Sequence, residues 1–364
     1  MKIICFVASL SQPRCIKRVT TFHNAGYEVE VYGYSRGYYN DNGYPTGIRV
    51  HDLGWIKSGG GYIGRFLTIL FSVKDITKKY KREDVVYYIF SFDYALSFLL
   101  CSNKLFFYEI SDIVYSYFNF KCLIKLFRCL DRYMIRKSYR TVLTSAGFQK
   151  YLFKDKESSN CIIQPNKVST YFTSIKRKSL SLTQKEGLVF AYVGAFRYPN
   201  TVFRFANVIG KHYPQHSFYF YGDSYLTPLA VELSRKYNNV KYWGSFRSPD
   251  NIEDIYSNID VVIACYDNAT INERIAEPNK LYESICFCKP IIVSNNTYLA
   301  DRVQELQVGF AIDASEDMSI IAFLDKLDFN ELCSISQREY EMEQFQFIDS
   351  PAEILQALRC VPKP

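Results

Sequence analysis

The sequence predicts an α/β protein with two domains, each built on a doubly wound parallel sheet. A chain of 364 residues is too long for one ordinary hydrophobic core. Strand and helix patterns alternate in two separate series, and residues 167–186 between them lose apolar periodicity and are rich in Ser, Thr and Lys. We therefore expect a first domain over 1–166, a linker over 167–186 and a second domain over 187–348.

The composition is that of a soluble globular protein, with 48% hydrophobic and 22% charged residues. No apolar run approaches the length that spans a bilayer, and the first strand-like run follows Met1 and Lys2 without the architecture of a signal peptide. The eleven cysteines are scattered and odd in number. We expect a cytoplasmic protein with reduced, mostly buried thiols.

Charge is divided unevenly along the chain. Residues 1–185 contain 29 Lys and Arg against 13 Asp and Glu, whereas residues 186–364 contain 15 against 24. A strongly basic half indicates a polyanionic partner, and both nucleic acid and an anionic membrane would qualify.

The first domain opens with a βαβ unit. Residues 3–8 are an apolar strand, residues 15–24 a helix that ends before Gly26, and residues 28–34 a second strand. Residues 35–61 are rich in Gly, Tyr and Asn and are predicted to be a loop. The first strand lacks a G-x-G-x-x-G turn, which weighs against a dinucleotide-binding dehydrogenase.

Two later segments combine basic and apolar residues. Residues 63–82 read as an amphipathic helix with a basic end, and residues 113–140 carry seven Lys and Arg against one Asp among many Phe, Tyr, Leu and Ile. Such helices can lie in a membrane interface. The alternative is an ordinary domain helix whose Lys and Arg side chains extend into water; we favour membrane contact.

Polar residues follow the predicted strand at 104–112. Glu109, Ser111 and Asp112 stand at its carboxyl end, where ligand-binding groups of open α/β sheets are found. Glu109 and Asp112 are therefore candidate catalytic residues, and the alternative is that they only solvate the strand end and cap a helix.

Residues 277–294 contain the most informative motif, EPNKLYESICFCKPIIVS. Pro278 suits the first helical position, and Lys280 and Glu283 lie three residues apart, so both can reach one ligand beyond the helix N-terminus. Free N–H groups and a partial positive charge make that terminus suitable for a phosphate. Lys280 would add a full charge, and Glu283 could accept from ribose hydroxyls; the alternative is a surface Lys–Glu pair.

The pattern P-x-K-L-(F/Y)-E, followed by K-P and an apolar run, resembles the donor-binding segment of GT-B glycosyltransferases, especially family 4. The resemblance implies two Rossmann-like domains facing a central cleft, with residues 349–364 returning towards the first domain. It assigns Lys280 to the nucleotide diphosphate and Glu283 to the ribose. Gly194 and Arg197 are similar to the G-x-x-(R/K) element that holds the donor diphosphate. This chain differs from the family at Cys288, where glycine is frequent, and at Ser111, where histidine is frequent.

The family's first glutamate corresponds to Ile275, which is flanked by Glu273 and Glu277. The resemblance implies transfer of a sugar from a nucleotide-diphosphate sugar to a saccharide acceptor, with retention and without a metal or other cofactor. A basic, aromatic first domain suits a lipid-linked acceptor of surface polysaccharide synthesis at the inner face of the membrane. The predicted catalytic residues are Glu109, Asp112 and Glu277, and the predicted donor-binding residues are Gly194, Arg197, Gly222, Asn279, Lys280 and Glu283.

Two other functions remain open. One is a nucleotide-sugar epimerase of the same fold, and the other is a non-catalytic donor-binding or scaffolding protein. We do not expect a nucleic-acid partner, because the basic residues lie in crossover helices without a recognition motif.

Overall fold

The structure is a computed structural model that describes residues 1–36, 43–56, 61–118, 120–154, 160–181 and 187–362. The chain forms two compact units. The first consists of residues 1–165 together with 350–364, and the second of residues 166–349.

The first unit is built on a seven-stranded parallel sheet with strand order β3-β2-β1-β4-β5-β6-β7. Its strands are β1 (Lys2–Val7), β2 (Glu28–Ser35), β3 (Arg49–Trp55), β4 (Val85–Phe90), β5 (Phe106–Ile110), β6 (Arg140–Leu143) and β7 (Cys161–Ile163). Its helices are α1 (Pro13–Asn24), α2 (Tyr62–Lys79), α3 (Phe92–Cys101), α4 (Lys121–Lys137), α5 (Ala146–Phe153) and, from the end of the chain, α14 (Ala352–Arg359).

Alternate residues of β1 point into the two helical layers of this unit. Cys5 belongs to the core that contains Phe22 of α1 and Ile354 of α14. Phe6 faces the other way and lies against Tyr94 of α3, with 5.8 Å between the ring centroids. Helices α1 and α14 therefore cover one face of the sheet and α3 covers the other.

The prediction of a loop over residues 35–61 is wrong, because this segment contains β3. The strand pairs in parallel with β2 from Glu30 opposite Arg49 onwards. It lies at the edge of the sheet and no residue of it is fully buried, so it lacks the apolar run by which the central strands are recognised. Residues 37–42 and 57–60 of the predicted loop lie outside the described residues.

The second unit repeats the same winding on a six-stranded parallel sheet of order β10-β9-β8-β11-β12-β13. Its strands are β8 (Val189–Val193), β9 (Ser217–Tyr221), β10 (Val240–Gly244), β11 (Val261–Ala264), β12 (Ile291–Ser294) and β13 (Gly309–Ile312). Its helices are α6 (Val202–His212), α7 (Thr227–Lys236), α8 (Ile252–Ser257), α9 (Ile271–Ile275), α10 (Asn279–Cys286), α11 (Tyr298–Leu306), α12 (Asp317–Leu324) and α13 (Phe329–Glu341).

Residues 167–181, which fall within the predicted linker, pack on the second unit. Val168 forms a parallel bridge with Ile348, and the Leu180 N–H donates to Ser336 Oγ of α13 over 2.9 Å. The rest of the predicted linker, 182–186, lies outside the described residues. The described part of this segment is thus tied to the second unit by main-chain hydrogen bonds.

None of the helices in the described ranges is long and apolar enough to span a membrane. The eleven cysteines form no disulfide, and six of them are buried.

Candidate functional site

The candidate site lies at the carboxyl edge of the second sheet, where the strand order reverses between β8 and β11. Open α/β sheets bind their ligands at such a point. Three glycines end neighbouring strands here. The Gly194 N–H donates to the Tyr221 carbonyl and the Gly222 N–H to the Gly244 carbonyl, each over 2.8 Å.

Gly194 and Gly222 lie in two turns that pack closely on each other. Their φ angles are +128° and +134°, which side chains rarely adopt, and a Cβ atom on Gly222 would lie 2.1 Å from the Gly194 carbonyl oxygen. Only glycine therefore lets these two turns pack together and lets the Lys280 side chain approach the Gly194 backbone closely.

Helix α10 begins at Asn279, close to Gly194. The sequence predicted Pro278 as the first helical residue, but its ψ of 155° is extended and it takes the N-cap position instead. Leu281 and Ile285 are fully buried as the core-facing stripe. This stripe anchors α10 to the sheet.

Lys280 is buried against Gly194. Its Nζ atom lies 2.9 Å from the position that a Cβ atom on Gly194 would occupy, and 4.7 Å from the ring centroid of Tyr192. Burial lowers the pKa of Lys280 from its ordinary value of 10.5 to about 8, while Glu283 raises this pKa and Arg197 lowers it further. The ammonium group also lies 5.9 Å from the ring centroid of Tyr266. Such a cation is suited to an anionic ligand.

Glu283 lies one helical turn further along α10. Its Oε2 accepts from the Tyr256 hydroxyl over 2.9 Å, and its Oε1 accepts from the Asn279 side-chain amide over 2.7 Å. Asn279 and Tyr256 therefore hold the Glu283 carboxylate in place. The structure brings the predicted donor-binding residues Asn279, Lys280 and Glu283 together.

Arg197 stands in the loop after β8 and is exposed. It is close enough to Lys280 to lower the pKa of that lysine. The neighbouring Tyr198 stacks on Tyr266, with 4.2 Å between ring centroids, which holds the loop against the end of β11. Arg197, Lys280 and the first turn of α10 can thus place positive charge around one anion.

Glu277, a predicted catalytic residue, is held by two neighbouring side chains. Its side chain is buried, and Oε1 accepts from the Tyr282 hydroxyl over 2.5 Å and from Arg302 Nε over 3.2 Å. The flanking Glu273 forms a capping box with Thr270 at the start of α9. Both glutamates therefore support the ends of helices.

In the first unit, Glu109 is fully buried and not solvated at a strand end. Its Oε1 lies 3.4 Å from Arg14 Nε, and its Oε2 lies 3.1 Å from Arg18 Nε and 2.5 Å from the Tyr88 hydroxyl. Arg14 also donates to Ser111 Oγ. Asp112 is exposed, so the two predicted catalytic carboxylates of this strand end differ in their environments.

Sequence reasoning missed Tyr192 and Tyr256, which surround Lys280 and Glu283. Tyr192 lies in the apolar run of β8 and Tyr256 in the short helix α8. Neither position carries a motif. The signal in the sequence was Tyr192 itself, a tyrosine two residues before Gly194 at the end of the strand.

Comparison with solved structures identifies the fold. Sucrose-phosphate synthase from Thermosynechococcus elongatus matches 99% of this chain and 97% of its own, with a TM-score of 0.72 and 12% identity. HepE from Anabaena, in complex with UDP and glucose, matches 99% and 100%, with a TM-score of 0.68 and 14% identity. WaaG, a glycosyltransferase involved in lipopolysaccharide biosynthesis, matches 95% and 97%, with a TM-score of 0.63 and 14% identity. No protein-family model and no curated protein matches the sequence. The predicted GT-B fold of two Rossmann-like, parallel-sheet units is confirmed.

Proposed function

We propose that this protein is a glycosyltransferase that moves a sugar from a nucleotide-diphosphate sugar to a saccharide acceptor. The observation that carries the proposal is the buried Lys280 ammonium, which lies against the Gly194 backbone at the strand-order reversal of the second sheet. Burying a charge costs free energy unless the charge is paired. An anionic ligand beside Lys280 would offset that cost. The fold shared with a glycosyltransferase and with a UDP-bound protein supports a nucleotide-sugar donor.

The diphosphate of the donor would lie between Arg197, Lys280 and the N-terminus of α10. When the bond between the anomeric carbon and the phosphate oxygen breaks, negative charge builds on the departing diphosphate. Fixed cations and helix N–H groups stabilise that charge without reorganisation. We propose that this arrangement takes the place of a metal ion.

Glu283 would accept from the ribose hydroxyls, and Asn279 would keep its carboxylate in place. Gly222 and Gly194 would let the sugar phosphate approach the main chain. The donor nucleotide that we propose first is UDP, because HepE has the same fold and was solved with UDP and glucose.

The acceptor would be a lipid-linked saccharide in surface polysaccharide synthesis, for example of a capsule, at the cytoplasmic face of the membrane. The basic first half of the chain and the likeness of fold to a lipopolysaccharide glycosyltransferase support this. Resemblance to family 4 supports retention at the anomeric carbon.

The three carboxylates would act in different ways. Asp112 is exposed and would contact the acceptor. Glu109 would hold Arg14 and Arg18 in position, and Glu277, fixed by Arg302, would set the start of α10 next to the donor.

The test is a thermal-shift screen of the full chain against UDP, GDP, ADP, CMP and dTDP. A ligand that binds only the folded state at about 100 times its Kd stabilises it by about 2.7 kcal/mol, which raises Tm by roughly 5–10 °C for a unit of this size. We expect UDP to do so, and both Lys280→Ala and Glu283→Ala to reduce the shift. Lys236→Ala, which removes an exposed lysine of the same unit, is the matched control.

Absence of a shift with every nucleotide at millimolar concentration would reject the donor site and favour a scaffolding role. If nucleotides bind, incubation with the matching UDP-sugar separates the enzymatic alternatives. A glycosyltransferase transfers the sugar only when an acceptor is present, whereas an epimerase converts the UDP-sugar without one. NMR of the product's anomeric proton then tests retention.

A further inference from the structure

We propose that the outward sides of α2 and α4 in the first unit form a docking face for an anionic lipid bilayer. This proposal rests on the proposed function, because an enzyme that uses a lipid-linked acceptor must reach the membrane. The evidence for it is independent of the donor site and lies in the exposure and charge of the two helices.

Helix α4 has an apolar ridge on the side that faces away from the protein. Asp131, Met134 and Ile135 are buried and mark its inner side. At 100° per residue, Leu126, Cys129 and Tyr133 fall on the opposite side, where Leu126 is 53% exposed and Tyr133 is 51% exposed. The outer side of an ordinary surface helix is its most polar part, whereas the outer side of α4 carries these apolar side chains together with exposed basic ones.

Helix α2 has a second exposed ridge. Ile63, Leu67 and Phe71 follow one another at intervals of four residues, and they are 74%, 44% and 61% exposed. Val73 and Ile76 mark the inner side of this helix. Isolated surface apolar residues need no explanation, but two continuous ridges indicate an interaction surface.

The two ridges belong to one helical layer. Helix α2 packs on α3, and α3 packs on α4. Tyr62, in the first turn of α2, also contacts Phe127 of α4, with 6.0 Å between ring centroids. The ridges therefore lie on the same side of the sheet, and the six residues Ile63, Leu67, Phe71, Leu126, Cys129 and Tyr133 define the docking face.

Basic residues surround the docking face. Lys74 and Lys78 extend from α2, and Lys125, Arg136 and Lys137 extend from α4; all five are exposed. Lys137 also lies 5.7 Å from the Tyr133 ring centroid.

Acidic residues are scarce on the same surface. The single acid of α4, Asp131, is buried and accepts hydrogen bonds from Tyr108 and Tyr115, each over 2.9 Å. On α2, Asp75 is exposed between Lys74 and Lys78. The outer surface of both helices is therefore positive as well as apolar.

An anionic bilayer satisfies both properties at once. Its headgroups attract the lysines, and its acyl boundary takes up the apolar side chains. A nucleic acid would leave the apolar ridges uncovered, because its affinity comes mainly from phosphate contacts. A second copy of the chain would bring two positive surfaces together. The charge and the apolar ridges together favour the bilayer.

The first experiment is flotation of the full chain with vesicles of phosphatidylcholine alone or of phosphatidylcholine mixed with phosphatidylglycerol. We expect binding to the anionic vesicles only, with affinity that falls as salt rises. Each lysine near an anionic surface contributes about fivefold in affinity, so Lys125→Glu with Lys137→Glu should weaken binding at least about tenfold. Leu67→Ser with Leu126→Ser should weaken it to a similar degree through the lost apolar contact.

Matched controls come from the second unit. Lys211→Glu with Lys326→Glu changes the same number of exposed lysines, and Met318→Ser with Phe345→Ser removes side chains that are 71% and 67% exposed. These variants should bind vesicles like the wild type. If they lose binding as strongly as the α2 and α4 variants, the docking face is assigned to the wrong surface. Circular dichroism confirms that each variant is folded.

The exposed cysteines allow a direct test of orientation. Cys122 and Cys129 lie on the outer side of α4, and Cys360 follows α14 on the opposite face of the sheet. With Cys122 changed to Ser, an environment-sensitive fluorophore is attached to Cys129 in a Cys360→Ser background, or to Cys360 in a Cys129→Ser background. We expect anionic vesicles to shift the emission of the first label to the blue and to leave that of the second unchanged.

Absence of binding to anionic vesicles, or equal shifts from both labels, would overturn the proposal. Release of the protein from vesicles by a DNA duplex of equal phosphate concentration would instead identify a nucleic-acid surface. Lys280→Ala should bind vesicles normally, so failure of the docking face and failure of the donor site are distinguishable.

Discussion

Lys280 is the residue whose environment most strongly determines the chemistry of the site. Its ammonium lies against Tyr192 and Gly194, and burial lowers its pKa to about 8. Its folded-state pKa is below the ordinary value, so the unfolded chain binds more protons between about pH 8 and pH 10.5. Through this residue alone, the free energy of unfolding therefore rises with pH across that window.

Nucleotide binding should depend on pH in the opposite direction. A nucleoside diphosphate is fully ionised above neutral pH, and it pairs only with protonated Lys280. We expect its affinity to fall about tenfold between about pH 7 and pH 9, as the lysine loses its proton. Titration calorimetry measures this, and Lys280→Met should bind weakly at every pH. An affinity of the wild type that stays constant over this range would contradict the charge assigned to Lys280.

Glu109 should behave as a structural anion. It is buried between Arg14 and Arg18, and removing one partner of a buried charge pair costs about 3–5 kcal/mol. We expect Glu109→Gln to lower the opening free energies of the first unit by about that amount and to leave the second unit unchanged, as measured by hydrogen exchange. Asp112→Asn, at an exposed carboxylate, is the control. Loss of activity in Glu109→Gln with unchanged exchange would instead indicate direct contact with the acceptor.

At the scale of elements, Arg177 connects two helix ends that are distant in the sequence. Its guanidinium donates to the carbonyls of Ile285 and Cys286 at the end of α10, over 3.0 and 3.2 Å. It also donates to the carbonyls of Tyr340, in the last turn of α13, and of Met342, just after that helix, each over 3.0 Å. A positive charge at a helix C-terminus is stabilising, and here one side chain serves both helices.

Arg177→Lys should loosen the helix that carries Lys280 and Glu283. A lysine keeps the charge but cannot reproduce the planar fork of the guanidinium, so we expect local stability of α10 and α13 to fall by about 2–3 kcal/mol. Hydrogen exchange over 279–286 and 329–341 measures this, with weaker nucleotide binding as the functional consequence. Lys178→Arg, at the exposed neighbouring position, should change neither. Unaltered exchange in both helices would show that Arg177 is dispensable.

Sequence patterns recovered most elements but not all of them. Strands such as β1, β4 and β12 were predictable because a strand covered on both faces is a continuous apolar run. The edge strand β3 was not, because its residues are only partly buried. Residues 167–181 lack periodicity, since their buried apolar residues, Val168 and Phe172, lie in an irregular segment that main-chain hydrogen bonds and Arg177 also hold to the second unit.

At the scale of the whole molecule, the first unit is discontinuous. Its core includes Ile354 and Leu358 from α14, which are 0% and 1% exposed. The second unit is formed by one continuous segment, residues 166–349. The last residues of the chain thus complete the core of the unit that contains its first residues.

Deleting residues 350–364 should therefore affect the two units differently. Loss of two fully buried aliphatic side chains removes roughly 3–6 kcal/mol from the first unit. We expect proteases to cleave the first unit rapidly while the second remains intact and retains its nucleotide-induced thermal shift. Deletion of 362–364 alone, which keeps Val361 on this core, is the control. Equal protease resistance of the full and shortened chains would contradict a structural role for α14.

The sequence by itself determined the two parallel-sheet units and the placement of Lys280 and Glu283 within one turn of the same helix. Both are local properties, because buried parallel strands are continuous apolar runs and residues three apart on a helix share a side. Tertiary structure decided the burial of Lys280 beneath Gly194, the pairing of Glu109 with two arginines and the outward direction of the ridges on α2 and α4. Each of these depends on which distant residues pack against a side chain, and the local order of residues does not contain that information.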